Sequence, residues 1–332
     1  MNRFAAAIFG CDGLRLTNEE KRFFAKVSPF GFILFARNIN SADQIRALTA
    51  ELRDSVGWAA PIFIDQEGGR VQRLRAPLAT EWLPPLDDVA RFGENAAEAM
   101  RLRYQITGLE LQALGIDGNC APMLDVARPN THQILRNRCY SSDLQRVIDV
   151  GHAVVKGHQD AGVLPVMKHI PGHGLAQLDS HLDLPRISLD RAELDAVDFA
   201  AFKPFSDLPL GMTAHLVFDK IDPQPATISK KMINLIRQDI GFNGFLMTDD
   251  ISMEALSGTV AERGSAAIKA GCDAVLHCNG KLAEMQSIFD AVGGMTEAAQ
   301  TRAERALATR QTPQDVDIDQ LRADFEAFLP QS

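Results

Sequence analysis

The sequence predicts an α/β fold, a single (β/α)8 barrel of the TIM type, on three observations. Short apolar runs recur along the chain, longer segments of helical period separate them, and polar or titratable residues follow nearly every run. Runs that are continuously apolar rather than alternating mark strands buried on both faces, as parallel strands covered by helices are. Eight such runs occur, at 4–9, 31–35, 61–64, 118–124, 164–167, 208–212, 244–247 and 274–276. Helix candidates lie between them at 41–56, 96–114, 144–161, 191–205, 230–239 and 260–270. Ser41, with Gln44 three residues on, reads as an N-cap with a capping-box partner, and Thr227 as a cap without one.

With 332 residues the chain could hold two domains, but the repeat of strand and helix runs through it, so residues 1–332 read as one catalytic barrel. The segment from 281 onward reads as one or two closing helices, with a helical and acidic, partly ordered tail from about 310. The composition, 46% hydrophobic and 23% charged, supports a sizeable core. A net charge of −9 with interspersed signs offers no basic stripe, which excludes nucleic acid as an expected partner. No apolar run approaches the roughly 20 residues that span a bilayer. The run 4–10 before Cys11 has only Arg3 ahead of it and reads as a first strand better than as a lipoprotein leader. Five cysteines, Cys11, Cys120, Cys139, Cys272 and Cys278, form no CxxC pair and are expected as reduced thiols in a cytoplasmic monomer.

In this fold the carboxyl ends of the strands build the active site. Those positions carry Arg37-Asn38, Asp65-Gln66-Glu67, Asp125, Lys168-His169, His215, Asp249-Asp250 and Asn279. The densest stretch runs from Lys168 to His181. Pro171, Gly172 and Gly174 disfavour helix and suggest a loop able to move over a site. Asp179 and His181 are two apart, a spacing that in extended chain lets the carboxylate fix the imidazole's tautomer and raise its basicity. Solvated surface histidines are the plain alternative, and a metal site of His169, His173 and Asp179 is a second one. The metal reading lacks the His-x-His pair usual after the first strand of metal-dependent barrel hydrolases, since that strand ends Phe9-Gly10-Cys11. The segment 241–253 delivers Asp249 and Asp250 at a strand end, where glycoside hydrolysis needs a carboxylate nucleophile or base. Helix capping by Asp250 is the plain alternative there.

Taken together, Ile64-Asp65-Gln66-Glu67-Gly68-Gly69-Arg70-Val71-Gln72-Arg73, Lys168-His169-x-Pro171-Gly172-His173-Gly174 with Asp179-Ser180-His181, Met212-Thr213-Ala214-His215 and Thr248-Asp249-Asp250-x-Ser252-Met253 resemble glycoside hydrolase family 3. Within it, the sequence is similar to the bacterial cytoplasmic β-N-acetylglucosaminidases of cell-wall recycling. The resemblance implies Asp249 as the nucleophile, His181 as the general acid/base and Asp179 as the partner of that histidine. It implies Asp65, Arg73, Arg138, Lys168 and His169 as ligands of the terminal sugar, Arg138 on the short Arg138-Cys139-Tyr140 context with Arg136 nearby. Ile170, where an aromatic is common, and Leu175-Ala176, in place of a more polar pair, depart from the pattern and bear on loop behaviour and fine specificity.

The implied chemistry is a double displacement with retention, needing no metal or organic cofactor, on a small carbohydrate substrate drawn from muropeptides. A phosphorylase, a β-glucosidase or a metal-dependent hydrolase on the same fold, and a sugar-binding scaffold without catalysis, are the alternatives that the sequence leaves.

Overall fold

Eight parallel strands close into a barrel in the order in which they occur in the chain, in a computed structural model that describes residues 4–176 and 184–329. They are β1 (Ala5–Gly10), β2 (Pro29–Leu34), β3 (Ile62–Ile64), β4 (Gly118–Asn119), β5 (Leu164–Ile170), β6 (Leu210–Thr213), β7 (Phe245–Asp250) and β8 (Ala274–His277). β8 returns to β1, pairing Ala7 with Val275 and Phe9 with His277. The interior is filled by Ile8, Ile33, Phe63, Val166, Met212, Met247 and Leu276, among others, all buried. Successive side chains of a strand alternate between faces. Two residues beyond Phe63, Val166, Met247 and Leu276 come Asp65, Lys168, Asp249 and Cys278, so the pleat that packs the interior also turns these groups toward the barrel mouth.

The covering helices start and stop where the sequence provides for it. Thr17 and Thr259 close capping boxes with Glu20 and Glu262, and Ser41 accepts the Gln44 N–H. Gln44 sends its own side-chain oxygen to the N–H of Asn40, so the box expected at Ser41 is only half formed. Thr227 is not a cap. The helix Lys230–Gln238 is capped by Ser229, whose hydroxyl accepts the Met232 N–H, and Thr227 is buried beside His215.

Other expectations need revision. The run 118–124 stops being regular after Asn119, because Pro122 has no N–H for the ladder. A single bridge between Met123 and Lys168 continues the pairing. The segment 191–205 is not one helix but an α-helix, Arg191–Ala196, and a 3-10 helix, Ala200–Phe205, with Pro204 inside the second. Proline cannot donate the i to i−4 bond that an α-helix would require there. Lys168, His169 and Ile170 belong to β5 rather than to a loop.

The turn 171–174 is buried and pinned. His173 donates its backbone N–H to Asp125 at 2.6 Å, and the Gly174 carbonyl accepts the Thr131 hydroxyl at 2.5 Å. A Cβ on Gly174 would stand 2.0 Å from the Val126 carbonyl oxygen, so close backbone approach, not hinge freedom, explains this glycine.

Beyond 310 the chain packs on the core. It forms a helix, Ile318–Glu326, whose Phe325 meets Trp82 and Phe92 edge-on at 5.0 and 5.1 Å. Phe325→Ala should lower unfolding stability by about 3 kcal/mol, the lower end for a buried phenylalanine. Urea denaturation checks this, and an unchanged midpoint would show that the helix does not contribute to the fold.

Candidate active site

A motif of nine residues, Asp65 to Arg73, folds back on itself at the mouth of the barrel. Gln66–Gly68 pairs antiparallel with Val71–Gln72, and Gln66 fastens the hairpin by accepting the backbone N–H groups of Arg73 and Leu74 and donating to the Leu74 carbonyl. Gly68 is required at the bend. Its φ is +107°, and a Cβ there would lie 1.9 Å from the Arg103 guanidinium, which donates to the Glu67 carbonyl at 2.5 Å. Folding back brings Arg73 within 3.0 Å of Asp65.

Lys168 arrives from β5 into the same space. Its ammonium, 2% exposed, lies 2.9 Å from Asp65 and 2.5 Å from Glu67. Glu67 is also held in a two-pronged pair by Arg138, at 2.9 and 2.8 Å. Arg136, two residues earlier, donates instead to the Arg128 carbonyl, so the structure separates these neighbouring arginines. Burial opposes charge on Asp65, Glu67, Arg138 and Lys168, and the pairing overrides it. Burial pushes Glu67 up, but Arg138 and Lys168 bring its carboxyl down to about 2. Asp65 is held well below the carboxylate range against burial by Lys168 and Arg73. Burial would lower Lys168, yet Asp65 and Glu67 raise it.

His169 turns its Nδ1 to Asp125 at 2.7 Å, and a carboxylate only accepts, so Nδ1 is the donor. Its Nε2 faces the cavity, 3.4 Å from Arg138 and 4.0 Å from an oxygen of Asp249. Asp249 closes β7, where Thr248 takes the Leu276 N–H and the register with β8 shifts by a bulge. One Asp249 oxygen accepts the Asp250 N–H at 2.8 Å, which leaves the other exposed to the cavity. Burial would raise this carboxyl, but His169 and His215 hold it below its ordinary value, so it is ionised at neutral pH. Asp250 caps no helix. Its carboxylate accepts from the Ser252 backbone and hydroxyl and from the Cys278 N–H, stiffening the turn after β7.

Five residues named from the sequence as sugar ligands, Asp65, Arg73, Arg138, Lys168 and His169, thus line one cavity of about 170 Å3 with Asp249. Asp179 and His181 lie outside the described residues. Glu67 and Asp125 were visible only as strand-end positions, and their roles emerge from what they hold, Arg138 and Lys168 for Glu67 and the His169 ring for Asp125. His215 donates Nε2–H to the Asp250 carbonyl and sets Nδ1 2.7 Å from the Thr227 hydroxyl, and burial lowers its basicity. Among the described residues no three His, Cys, Asp or Glu side chains are grouped to hold a metal ion.

His173 lines the same cavity with neither ring nitrogen paired, and burial lowers its imidazole to about 4. Its value is depressed from an unfolded ~6.5, so the folded chain binds fewer protons between those values and loses stability as pH falls through that window. Urea midpoints should drop between pH 6.5 and pH 4, and His173→Leu should flatten part of that slope. Equal slopes for the two proteins would show that His173 takes no part in it.

The sequence profile of the glycosyl hydrolase family 3 N terminal domain matches residues 8–308. A β-hexosaminidase of Alkalilimnicola ehrlichii is 38% identical over 280 residues, covering 82% of this chain and 80% of that one. One of Tolumonas auensis is 34% identical over 303 residues, with 90% and 88% covered. NagZ from Neisseria gonorrhoeae, solved in complex with N-trifluoroacetyl-D-glucosamine, superposes with a TM-score of 0.84 at 28% identity, over 98% of this chain and 96% of that one. A family 3 β-N-acetylglucosaminidase from Paenibacillus gives 0.85 at 29%, over 97% of this chain and 66% of that one. By the length and identity of these matches, the chain belongs to glycosyl hydrolase family 3 and is a glycoside hydrolase of the β-N-acetylhexosaminidase kind.

Proposed function

We propose that the enzyme removes a non-reducing terminal β-linked N-acetylglucosamine from peptidoglycan fragments, GlcNAc-anhydro-MurNAc and its peptides, with retention of configuration. The observation that carries the reading is an ionised Asp249, one oxygen tied to the Asp250 N–H and the other open, on the wall of a cavity dense in fixed charges. At about 170 Å3 the cavity is smaller than the roughly 300–1,000 Å3 typical of drug-sized sites, which suits one sugar ring rather than a chain.

In this reading the open oxygen of Asp249 attacks the anomeric carbon while protonated His181 gives its proton to the leaving oxygen. Water then attacks the glycosyl-aspartate, His181 takes the water's proton, and Asp249 leaves as carboxylate. Asp179 holds His181 in the tautomer that both halves need. Asp65 accepts hydrogen bonds from ring hydroxyls, and Arg73, Arg138, Lys168 and His169 meet hydroxyl and acetamido oxygens. Because Lys168 is buried and Asp65 and Arg138 are largely so, an analogue that leaves one of them unpaired binds poorly. Five free, buried thiols agree with a reducing compartment, the cytoplasm. No helix among the described residues is long and apolar enough to cross a membrane.

Asp249→Ala should lower release of p-nitrophenol from its β-N-acetylglucosaminide about 10⁴-fold or more. Activity within tenfold of the parent would overturn the assignment of the nucleophile. In a panel of aryl β-glycosides differing at C2, the 2-acetamido compound should be turned over fastest. A preference for the 2-hydroxy compound would point to a β-glucosidase instead.

A further inference from the structure

We propose that His215 is a positioning residue for the nucleophile, holding the Asp250 backbone and, through it, the carboxylate of Asp249 in the attacking orientation. The proposal rests on Asp249 acting as the nucleophile. β7, which carries both aspartates, leaves its regular ladder before it reaches them. On the β6 side the pairing ends at Met247 with Met212. On the β8 side the register shifts between Met247 and Asp250. A strand end that departs from its ladder has backbone groups in need of other partners and can bend where they are missing.

Other ties replace the ladder, and they differ on the two sides. Toward β8, Ile251 donates its N–H to the Leu276 carbonyl at 2.8 Å, and the Asp250 carboxylate accepts the Cys278 N–H at 3.2 Å. Toward β6 the tie is a side chain. His215, 1% exposed, stands two residues beyond the end of β6 and donates Nε2–H to the Asp250 carbonyl at 3.0 Å. The Met253 N–H, 3.1 Å from the same carbonyl, belongs to the turn itself and does not fasten it to β6. The imidazole is in turn held from behind. Its Nδ1 lies 2.7 Å from the hydroxyl of buried Thr227, which also lies 3.0 Å from the Ala214 carbonyl and 2.8 Å from the Thr213 hydroxyl. The ring therefore cannot turn without disturbing a buried polar network.

Asp249 depends on this tie because the Asp250 N–H takes one of its oxygens at 2.8 Å and so decides where the other points. Without His215 the end of β7 is fastened toward β8 alone, and the carboxylate shifts with it. An attacking atom must stand about 3–3.5 Å from its target and in line, and a misplacement of about 1 Å can cost about 100-fold in rate. His215 does not line the sugar cavity, so it acts through Asp250 rather than on the substrate. Asp65, Arg73, Lys168 and Arg138 are held through Asp65 and Glu67 by one another, so sugar binding should survive the loss of His215. Loss of rate without loss of affinity is the signature.

The test measures kcat/KM on p-nitrophenyl β-N-acetylglucosaminide together with the Kd and stoichiometry of N-acetylglucosamine by calorimetry, with rates expressed per binding site. His215→Asn keeps a polar group opposite Thr227 but does not reach Asp250. It should lower kcat/KM about thirtyfold, about 2 kcal/mol in the barrier, with Kd within about twofold of the parent. His215→Gln, whose amide nitrogen extends as far as Nε2, should recover most of the loss. If His215→Asn does not fold by circular dichroism, Thr227→Val, which removes the support of the ring, should give the same pattern at about fivefold. An unchanged kcat/KM, a Kd weakened in parallel, or no recovery with glutamine would overturn the positioning role. Asp249→Ala measured alongside separates the two readings. If it is inactive while His215→Asn matches the parent, the positioning role alone fails. If it is as active as the parent, the nucleophile assignment fails and the positioning role with it.

Discussion

A single ammonium group organises the mouth of this barrel. Lys168 is buried, and moving such a cation out of water costs several kcal/mol unless carboxylates surround it. Asp65 and Glu67 do so at 2.9 and 2.5 Å, and each of them needs further cations of its own. Arg73 must therefore be folded back onto Asp65, and Arg138 must come from the segment after β4 to cover Glu67. The hairpin at 66–72, the glycine at its bend and the buried Arg103 on the Glu67 carbonyl follow from that requirement. Removing one partner would leave the others as uncompensated buried charge, which is why the cluster must form as a unit.

The same cluster prepares the cavity for a sugar. Its donors and acceptors are oriented by protein contacts, so a ring that displaces water meets dipoles already set. A second tier keeps them there. Asp125 holds His169 by its ring and the 171–174 turn by the His173 N–H. Asn119 exchanges hydrogen bonds with the Gln66 backbone and donates to His158, a histidine that burial lowers to about 3 and so keeps neutral. The imidazole of His158, behind the charged groups, thus stays uncharged.

The legible part of this site follows the pleat. Asp65, Lys168 and Asp249 each stand two residues beyond an inward-facing apolar residue, so period two, read from the sequence, is enough to aim them. Glu67 escapes that logic because it belongs to a hairpin outside the barrel ladder, and Asp125 because Pro122 has already ended the regular pairing of β4. The helix Ile318–Glu326 lies in a segment whose acidic composition does not show where it docks. Only Leu321 and Phe325 reach the core, and their destination beside Trp82 and Phe92 is a long-range fact that local pattern does not carry. In 191–205 Pro204 marks locally why the second piece is not α-helical, but not why the first ends at Ala196.

The pairing of β8 with β1 has a consequence for the order in which the molecule can be made. β1 presents one edge to β2 and the other to β8, and the latter lies more than two hundred and fifty residues later in the sequence. On the ribosome, Ala-Ala-Ala-Ile-Phe-Gly therefore emerges before the other seven barrel strands and keeps an apolar, hydrogen-bond-hungry edge until β8 has been synthesised. Two or three completed βα units would offer such an edge on each side. The ring abolishes both edges in one step, so the nascent chain is at its most adhesive just before that step, and the barrel itself has no open edge after it.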